Sequence, residues 1–297
     1  MNDHPFLVSI GLPVFNGERF LAETLDSFLD QTFPHFELII SDNASTDATQ
    51  DICLQYTAMD DRIRYVRQKT NLGASKNYNL LVGMASGIYF KWASHDDLCV
   101  PTYLERCTQV LNQDPSVILC YSRTKEIDEE GVVISEYPTK PKLGSEKSPE
   151  RFFECICVPH PQVAVFGLFR SDVLKKTRLI GNYASSDRTL LGELSLLGRF
   201  HEIPEFLFFR RSHPSQSYKL FPGRHALQTW YDPKRSGKIT FPHWRLLYEH
   251  YVSIERTRLG LQDRFYCTMY LAWWIRLHWR YLAKNLILKE PIPSLPG

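Results

Sequence analysis

No stretch of eighteen uninterrupted apolar residues occurs in the 297-residue sequence, so no conventional transmembrane helix is expected. The opening residues, MNDHPFLVSIGLPVF, lack a basic segment, a following apolar core and a small-residue cleavage site. No secretory leader is expected. No GxGxxG follows the first apolar run, and no GxxxxGKS or GxxxxGKT occurs anywhere, which removes the main support for dinucleotide-binding and P-loop readings. There is no internal repeat and no low-complexity segment. The seven cysteines are odd in number and irregularly spaced. Cys155 and Cys157 form a CxC, but no second Cys/His pair has metal-site spacing, so neither a disulfide framework nor a zinc site is expected. Reduced, buried thiols point to the cytoplasm. A net charge of +2 gives no reason to expect a nucleic-acid partner.

The composition is that of a globular protein, 43% hydrophobic and 23% charged. The charge is uneven. From Phe221 onward there are 12 Lys+Arg against 5 Asp+Glu, a balance of +7, while the remainder has 23 against 28, or −5. The same tail holds Trp230, Trp244, Trp273, Trp274 and Trp279, five of the six tryptophans. Two regions are expected: residues 1–220, with a first half to about residue 122, and a basic, aromatic, helical extension over 221–297.

The first half alternates short apolar runs with helical patterns. LVSIGLPVF reads as a strand ended by Pro13, followed by an Asn16-Gly17 turn. Phe20, Leu21, Leu25, Phe28 and Leu29 then recur at helical spacing. Phe36 to Ser41 is a second strand, with a helix near Asp47 to Tyr56 after it. IRYVRQ is a third strand, and GASKNYNLLVGMASG a helix closed by Gly87 as a left-handed stop. YFKW is a fourth strand, Pro101 opens a helix to Asn112, and SVILCYS is a fifth strand. Helices between such strands predict an α/β fold with a mostly parallel sheet, whose ligands bind outside the carboxyl ends of the strands. Asn16, Asp42, Asn43, Asp96 and Asp97 all fall on that edge.

The stretch YFKWASHDDLCVP ends an apolar run in Ser94, His95, Asp96 and Asp97. Two adjacent carboxylates repel each other, and a divalent cation or a ligand would relieve that. Solvated side chains, one capping the helix after Pro101, are the structural alternative.

The blocks VSIGLPVFNGERFLAETLDSFLDQT, FELIISDNASTDAT, NLGASKNYNL and YFKWASHDD occur in the order and spacing of one family. The sequence resembles the family 2 glycosyltransferases, with the GT-A nucleotide-diphosphosugar transferase fold, strongly over about Phe6 to Ser122 and more weakly to about Ser217. The resemblance implies an inverting transfer of a sugar from a nucleotide-diphosphate sugar to a hydroxyl acceptor, assisted by Mg²⁺ or Mn²⁺. It implies that Pro13, Phe15 and Asn16 approach the base, that Asp42 hydrogen-bonds it beside Asn43, and that Lys76 stands near the nucleotide. Aligned on Pro101, the family's Asp-x-Asp becomes Ser94-His95-Asp96. Asp96 is then the metal ligand, Asp97 a neighbour or cap, and Ser94 or His95 a contact to the ribose.

GNYASSDRTLLGELSLLGRF has helix grammar of its own. Ser185 or Ser186 can cap, Leu190, Leu191, Leu194 and Leu197 form an apolar stripe, and Gly198 stops it. The residues alone would explain Asp187 as favouring the positive helix end. The resemblance implies that it is the catalytic base, in a place where the family usually carries Glu-Asp. FHEIPEFLFFRRSHPSQS reads as a strand ending in Arg210 to His213. The resemblance implies that Arg211 contacts the diphosphate and that His213 contacts phosphate or metal; an exposed strand end is the alternative.

In the tail, Arg276, Arg280 and Lys284 recur four apart on a helix rich in Trp and Tyr. Packing on the transferase unit or on a second subunit is the reading preferred here; the alternative is peripheral contact at the inner face of the membrane. Two rival functions remain at this level: a nucleotidyltransferase of related fold, although PVFNGERF is not a phosphate loop, and a degenerate nucleotide-sugar binding protein, prompted by Ser94 and Ser186.

Overall fold

The computed structural model describes residues 7–137 and 143–287. The first half runs β1 (Val8–Val14), α1 (Leu21–Leu29), β2 (Phe36–Asp42), α2 (Thr49–Met59), β3 (Ile63–Arg67), α3 (Ala74–Met84) and β4 (Tyr89–Trp92). It continues through β5 (Leu98–Cys99), α4 (Tyr103–Gln113), β6 (Val117–Ile127) and β7 (Val133–Glu136). The second half holds α5 (Ser148–Cys157), β8 (Leu168–Arg170), α6 (Ser171–Leu174), α7 (Ser186–Leu197) and β9 (Arg199–Arg211). Four helices end it: α8 (Ser217–Leu220), α9 (Gly223–Tyr231), α10 (Pro242–Arg256) and α11 (Leu261–Ile287).

One sheet organises the chain, in the order β3-β2-β1-β4-β8-β6-β9-β5, with β7 beside β6. β3, β2, β1 and β4 are parallel, and so are β6 and β9; β8 joins these two groups with antiparallel pairings. The chain steps from β1 outward to β2 and β3, then returns to the other side of β1 for β4. Order reverses at β1, the place where α/β sheets open a ligand crevice.

β1 and β2 are buried at every residue, as parallel strands covered on both faces must be. Alternation sorts their side chains. Leu38 and Ile40 face one core with Ile10, Leu12, Leu25 and Phe28, while Ile39 faces the other with Phe90, Trp92 and Leu81. Gly11 is required by the second packing, since a Cβ there would lie 2.8 Å from the Phe90 ring and 2.9 Å from Leu81.

Several expectations need correction. β1 continues through Pro13 to Val14, because β4 leaves β1 after Gly11 and Pro13 faces a partner on β2 only, at Ser41. α3 ends at Met84 with extended Ala85, so Gly87 is no left-handed stop; its lack of a Cβ instead lets the chain pack closely on β1, since a Cβ there would lie 2.6 Å from the Ser9 nitrogen. Within the run read as apolar, Lys91 is fully buried, its ammonium over the rings of Tyr103 and Phe208 and donating to the Phe166 carbonyl. In α7 it is Leu196, and not Leu197, that joins the buried stripe.

The tail packs on the rest of the chain. α10 and α11 lie against α5 and α7, and Leu246, Ile254, Cys267, Leu271, Trp274 and Leu282 share a core with Phe152, Leu190 and Leu194. All seven cysteines are free and buried. Among the described residues no helix is long and apolar enough to cross a membrane.

Candidate active site

The loops after β1 and β2 are knitted together before any ligand is considered. Asn16 takes the left-handed backbone (φ 52°), which Asn tolerates better than most residues. Its Oδ1 accepts from Thr46 N at 2.9 Å, and its own N–H donates to Ser45 Oγ at 3.0 Å. Gly17 N donates to Thr49 Oγ1, and Ala48 N to Glu18 Oε2. Pro13 is buried beneath this turn, and Phe15 is left 43% exposed beside the crevice.

Asp42 is fully buried. Its Oδ1 accepts from Ser45 N at 2.8 Å; its Oδ2 accepts from Tyr65 Oη at 2.8 Å and lies 3.3 Å from Arg67 Nε. The carboxylate therefore fixes Tyr65 and Arg67 and is not open to a base in this conformation, which differs from the direct contact expected of it. Asn43 accepts from Leu72 N and donates to Asn71 Oδ1, tying the end of β2 to the loop before α3. Lys76 is solvent-exposed on the first turn of α3.

The loop after β4 is built differently. Asp96 and Asp97 are both buried, and Ser94 and His95 half-buried. Ser94 Oγ donates to one oxygen of Asp96, and His213 Nε2 lies 2.8 Å from the other. Asp97 Oδ1 accepts from Arg211 N at 3.0 Å. Burial alone would raise the pKa of Asp96, but the charge of His95 and the bonds from His213 and Ser94 hold it well below the usual carboxylate range. Asp97 is pushed up to about 8, by burial first and by the Asp96 charge second. The two environments push the neighbours in opposite directions, Asp96 toward its charged form and Asp97 toward its neutral form, which eases the repulsion of two acids buried side by side.

Asp96 and His213 suit Mg²⁺ or Mn²⁺. Two neighbouring ligands of an octahedral cation with bonds of about 2.1 Å stand about 3 Å apart, close to the spacing of this oxygen and nitrogen. Among the described residues no group of three or more His, Cys, Asp or Glu side chains could hold an ion alone. The remaining positions would fall to diphosphate oxygens and water, the usual arrangement for such ions.

Arg211, expected on the diphosphate, is 1% exposed and fully engaged elsewhere. Its Nε donates to Asp96 O, its Nη1 to the carbonyls of Asp128 and Glu129, and its Nη2 to Glu23 Oε2 at 2.6 Å. Its guanidinium also covers the Phe20 ring at 4.7 Å. It is the buttress of the Asp96–Asp97 loop. The neighbouring Arg210 is the one that lies toward Tyr137 and Tyr218, donating to Tyr137 Oη at 2.8 Å.

Asp187 stands in the first turn of α7, behind a left-handed Ser185 N-cap (φ 65°). Burial raises its pKa, while the Arg188 N–H and the charges of Arg188 and Arg224 pull it back. Tyr78 lies within electrostatic reach of Asp96, Asp97 and Asp187. Trp230 packs on Tyr78 with ring centroids 6.4 Å apart. The Tyr231 carbonyl accepts from Ser75 Oγ at 3.1 Å, so the tail closes over the loop before α3. Tyr78, Arg188, Arg224 and Tyr231 were not singled out from sequence; the Trp230-Tyr231 pair and the arginine beside Asp187 were the available signals.

Three comparisons bear on this site. The family model described as Glycosyl transferase family 2 matches residues 9–177, more than half of the chain. An uncharacterised glycosyltransferase of Haemophilus influenzae is 27% identical over 221 residues, 72% of this chain and 68% of its own length. The chondroitin synthase of Escherichia coli is 33% identical over 141 residues, 48% of this chain but only 20% of that protein. Among solved structures, S. aureus TarS (residues 1–349) in complex with UDP-GlcNAc superposes with a TM-score of 0.68 at 16% identity, over 94% of this chain and 74% of that one. The mannosyltransferase PcManGT from Pyrobaculum calidifontis, in complex with GDP-Man and Mn²⁺, gives 0.55 at 15% identity, over 96% and 76%.

Proposed function

Since the chain belongs to glycosyl transferase family 2, and so moves a sugar from a nucleotide sugar, we propose that it does so with inversion, from a nucleotide-diphosphate sugar to a hydroxyl acceptor, with Asp96 and His213 on the metal and Asp187 as base. The observation that carries this is the buried Asp96–His213 contact after β4 and β9, with Asp187 in the first turn of α7 and Tyr78 within electrostatic reach of both carboxylates.

The donor lies along the carboxyl edge of β1, β2 and β4. Phe15 offers an exposed ring beside the base, Asn16 shapes the turn, and Asp42 acts through Tyr65 and Arg67. Lys76 and Asn43 border the same edge, and His95 or Ser94 reaches the ribose. Mg²⁺ or Mn²⁺ held by Asp96 and His213 would offset the charge of the departing diphosphate. Asp187 accepts the acceptor proton as its oxygen attacks the anomeric carbon from the side opposite the diphosphate, so one base suffices. Burial of Asp187 raises its proton affinity toward that task. The similar structures that hold UDP-GlcNAc, or GDP-Man and Mn²⁺, are in keeping with this donor class.

The outward face of α11 is read as resting on an anionic membrane surface. Arg276, Arg280 and Lys284 are exposed there with Phe265, Met269, Trp273 and Trp279, and from Arg264 to Ile287 the helix has no acidic residue. A cationic, aromatic helix face about 30 Å long complements anionic headgroups.

The test is hydrolysis of a panel of UDP-, GDP- and dTDP-sugars with Mn²⁺ or Mg²⁺. Nucleotide release that depends on metal and is lost in Asp96→Ala is expected. Tight donor binding with no release from any donor would overturn the proposal.

A further inference from the structure

Some buried and half-buried arginines in this chain pair with carboxylates, and others, such as Arg151 and Arg170, donate to several main-chain carbonyls. Arg178 pairs with Glu249 and lies 3.8 Å from Glu193, and Arg211 pairs with Glu23. Two arginines beside Asp187 follow neither pattern. Arg188 is half-buried, and its one hydrogen bond is a long contact of 3.5 Å from Nη2 to the His160 carbonyl. Arg224 is half-buried too; its Nε donates to Ser185 Oγ at 3.1 Å and its Nη1 lies 2.6 Å from His243 Nε2. Among the described residues neither has a carboxylate within ion-pair distance.

Ser185 is the N-cap of α7, two residues before Asp187, so the Ser185–Arg224 bond fixes one guanidinium at the helix mouth. Arg188 follows Asp187 directly. The two cations lie within electrostatic reach of each other and of Asp187. Two like charges half out of water share only the Asp187 carboxylate, which is neutralised when it takes a proton, so an anion from outside would complete them. The guanidinium fork matches carboxylate and phosphate oxygens.

We propose that the acceptor carries an oxyanion, a carboxylate or a phosphate, beside its reacting hydroxyl, and that Arg188 and Arg224 hold it next to Asp187. This rests on the transferase reading above, with Asp187 on the acceptor side. The acceptor class is then a uronic acid or a phosphorylated sugar or polyol. The other basic groups nearby support it: burial pushes His243 down to about 4 and His250 down to about 3, and lowers His278, with the charge of Arg188 or Arg224 adding to each shift. They stay neutral and leave the two arginines to meet the anion.

Calorimetric titration with saturating UDP and Mn²⁺ filling the donor side tests this. Methyl glucuronide and glucose 6-phosphate are compared with neutral methyl glucoside, the first two separating carboxylate from phosphate. At least one anion should bind roughly tenfold or more tighter than the glucoside, the scale of a charged hydrogen bond. In Arg188→Gln with Arg224→Gln that advantage should vanish, with UDP affinity and unfolding temperature measured alongside. Arg188→Gln alone, which gives up only one long contact, covers the case in which the double variant does not fold. Donor hydrolysis by the wild type together with equal affinity for charged and neutral sugars, no binding of either anion, or an advantage that survives in the variants would overturn this inference alone. Absence of donor hydrolysis would overturn the reading beneath it, and this inference with it.

Discussion

His213 Nε2 stands 2.8 Å from a carboxylate oxygen of Asp96, although 117 residues separate the two. The contact joins the loop after β4 to the loop after β9, and the proposed function puts the donor's cation there. His213→Ala is therefore expected to weaken Mn²⁺-dependent UDP binding by on the order of 10–100-fold, the scale seen when a metal's surroundings are altered. Titration of UDP with and without Mn²⁺ measures it. Equal metal dependence in a folded variant would remove His213 from the site.

Asp187→Asn should lower turnover on the order of a hundredfold or more and leave donor affinity unchanged, since the amide keeps the shape but cannot take a proton. The wild-type rate should fall as pH drops through the Asp187 pKa. Burial places that fall above the pH of an ordinary Asp, and the variant should lack it. Wild-type turnover by the variant with a true acceptor would require another base.

Arg211→Met should destabilise the fold by about 3–5 kcal/mol, the usual cost of breaking a buried charged network. The carbonyls of Asp96, Asp128 and Glu129 would lose their donor. Denaturant unfolding reads this directly. A loss under about 1 kcal/mol would show that the loop does not depend on this side chain.

His250 should make the protein acid-sensitive before its carboxylates do. It is fully buried between Phe152 and Trp274 with both ring nitrogens unpaired, and burial depresses its pKa to about 3. The unfolded chain binds this proton near pH 6.5 and the folded chain does not, so stability is full above about 6.5 and declines as pH falls toward 3. His250→Phe should flatten the slope of unfolding free energy over that window. An unchanged slope would assign the acid sensitivity elsewhere.

Vesicle co-sedimentation tests the face of α11. Binding to vesicles containing phosphatidylglycerol, but not to pure phosphatidylcholine, is expected, with loss in Arg276→Glu combined with Arg280→Glu. A dimer by light scattering that covers this face and binds no vesicle would replace the membrane with a second copy.

The frame around the site was legible because its signals are local. Runs such as VSIGLPV and FELIISD are buried on both faces, and the polar residues that follow them mark the carboxyl edge without any knowledge of the far half. Resemblance named Asp96 and His213 as partners at two strand ends, and the fold brings their side chains within 2.8 Å. Arg211 could not be placed so. An arginine at a strand end looks like a free cation, and only the fold brings it to Glu23, 188 residues away, and to the Asp96 carbonyl. Asp42 was misread for the same reason: its partners Tyr65 and Arg67 arrive with β3. Lys91 broke the pattern of an apolar strand because two rings and a carbonyl elsewhere in the chain receive its ammonium. Gly87 shows the converse, a residue that fits a local rule but is used for a close approach to β1.

The Tyr231 carbonyl receives its hydrogen bond from Ser75, 156 residues earlier, and Gly73 has no side chain where that carbonyl passes. One peptide group of the tail is thereby seated on the loop that introduces α3. Its amide proton is followed by Asp232, which accepts from Asn182 Nδ2 at 3.2 Å on the approach to α7. The tail is thus a clasp between the start of α3 and the approach to α7. In the proposed reaction its loosening would free the loop beside the donor from the helix that carries Asp187.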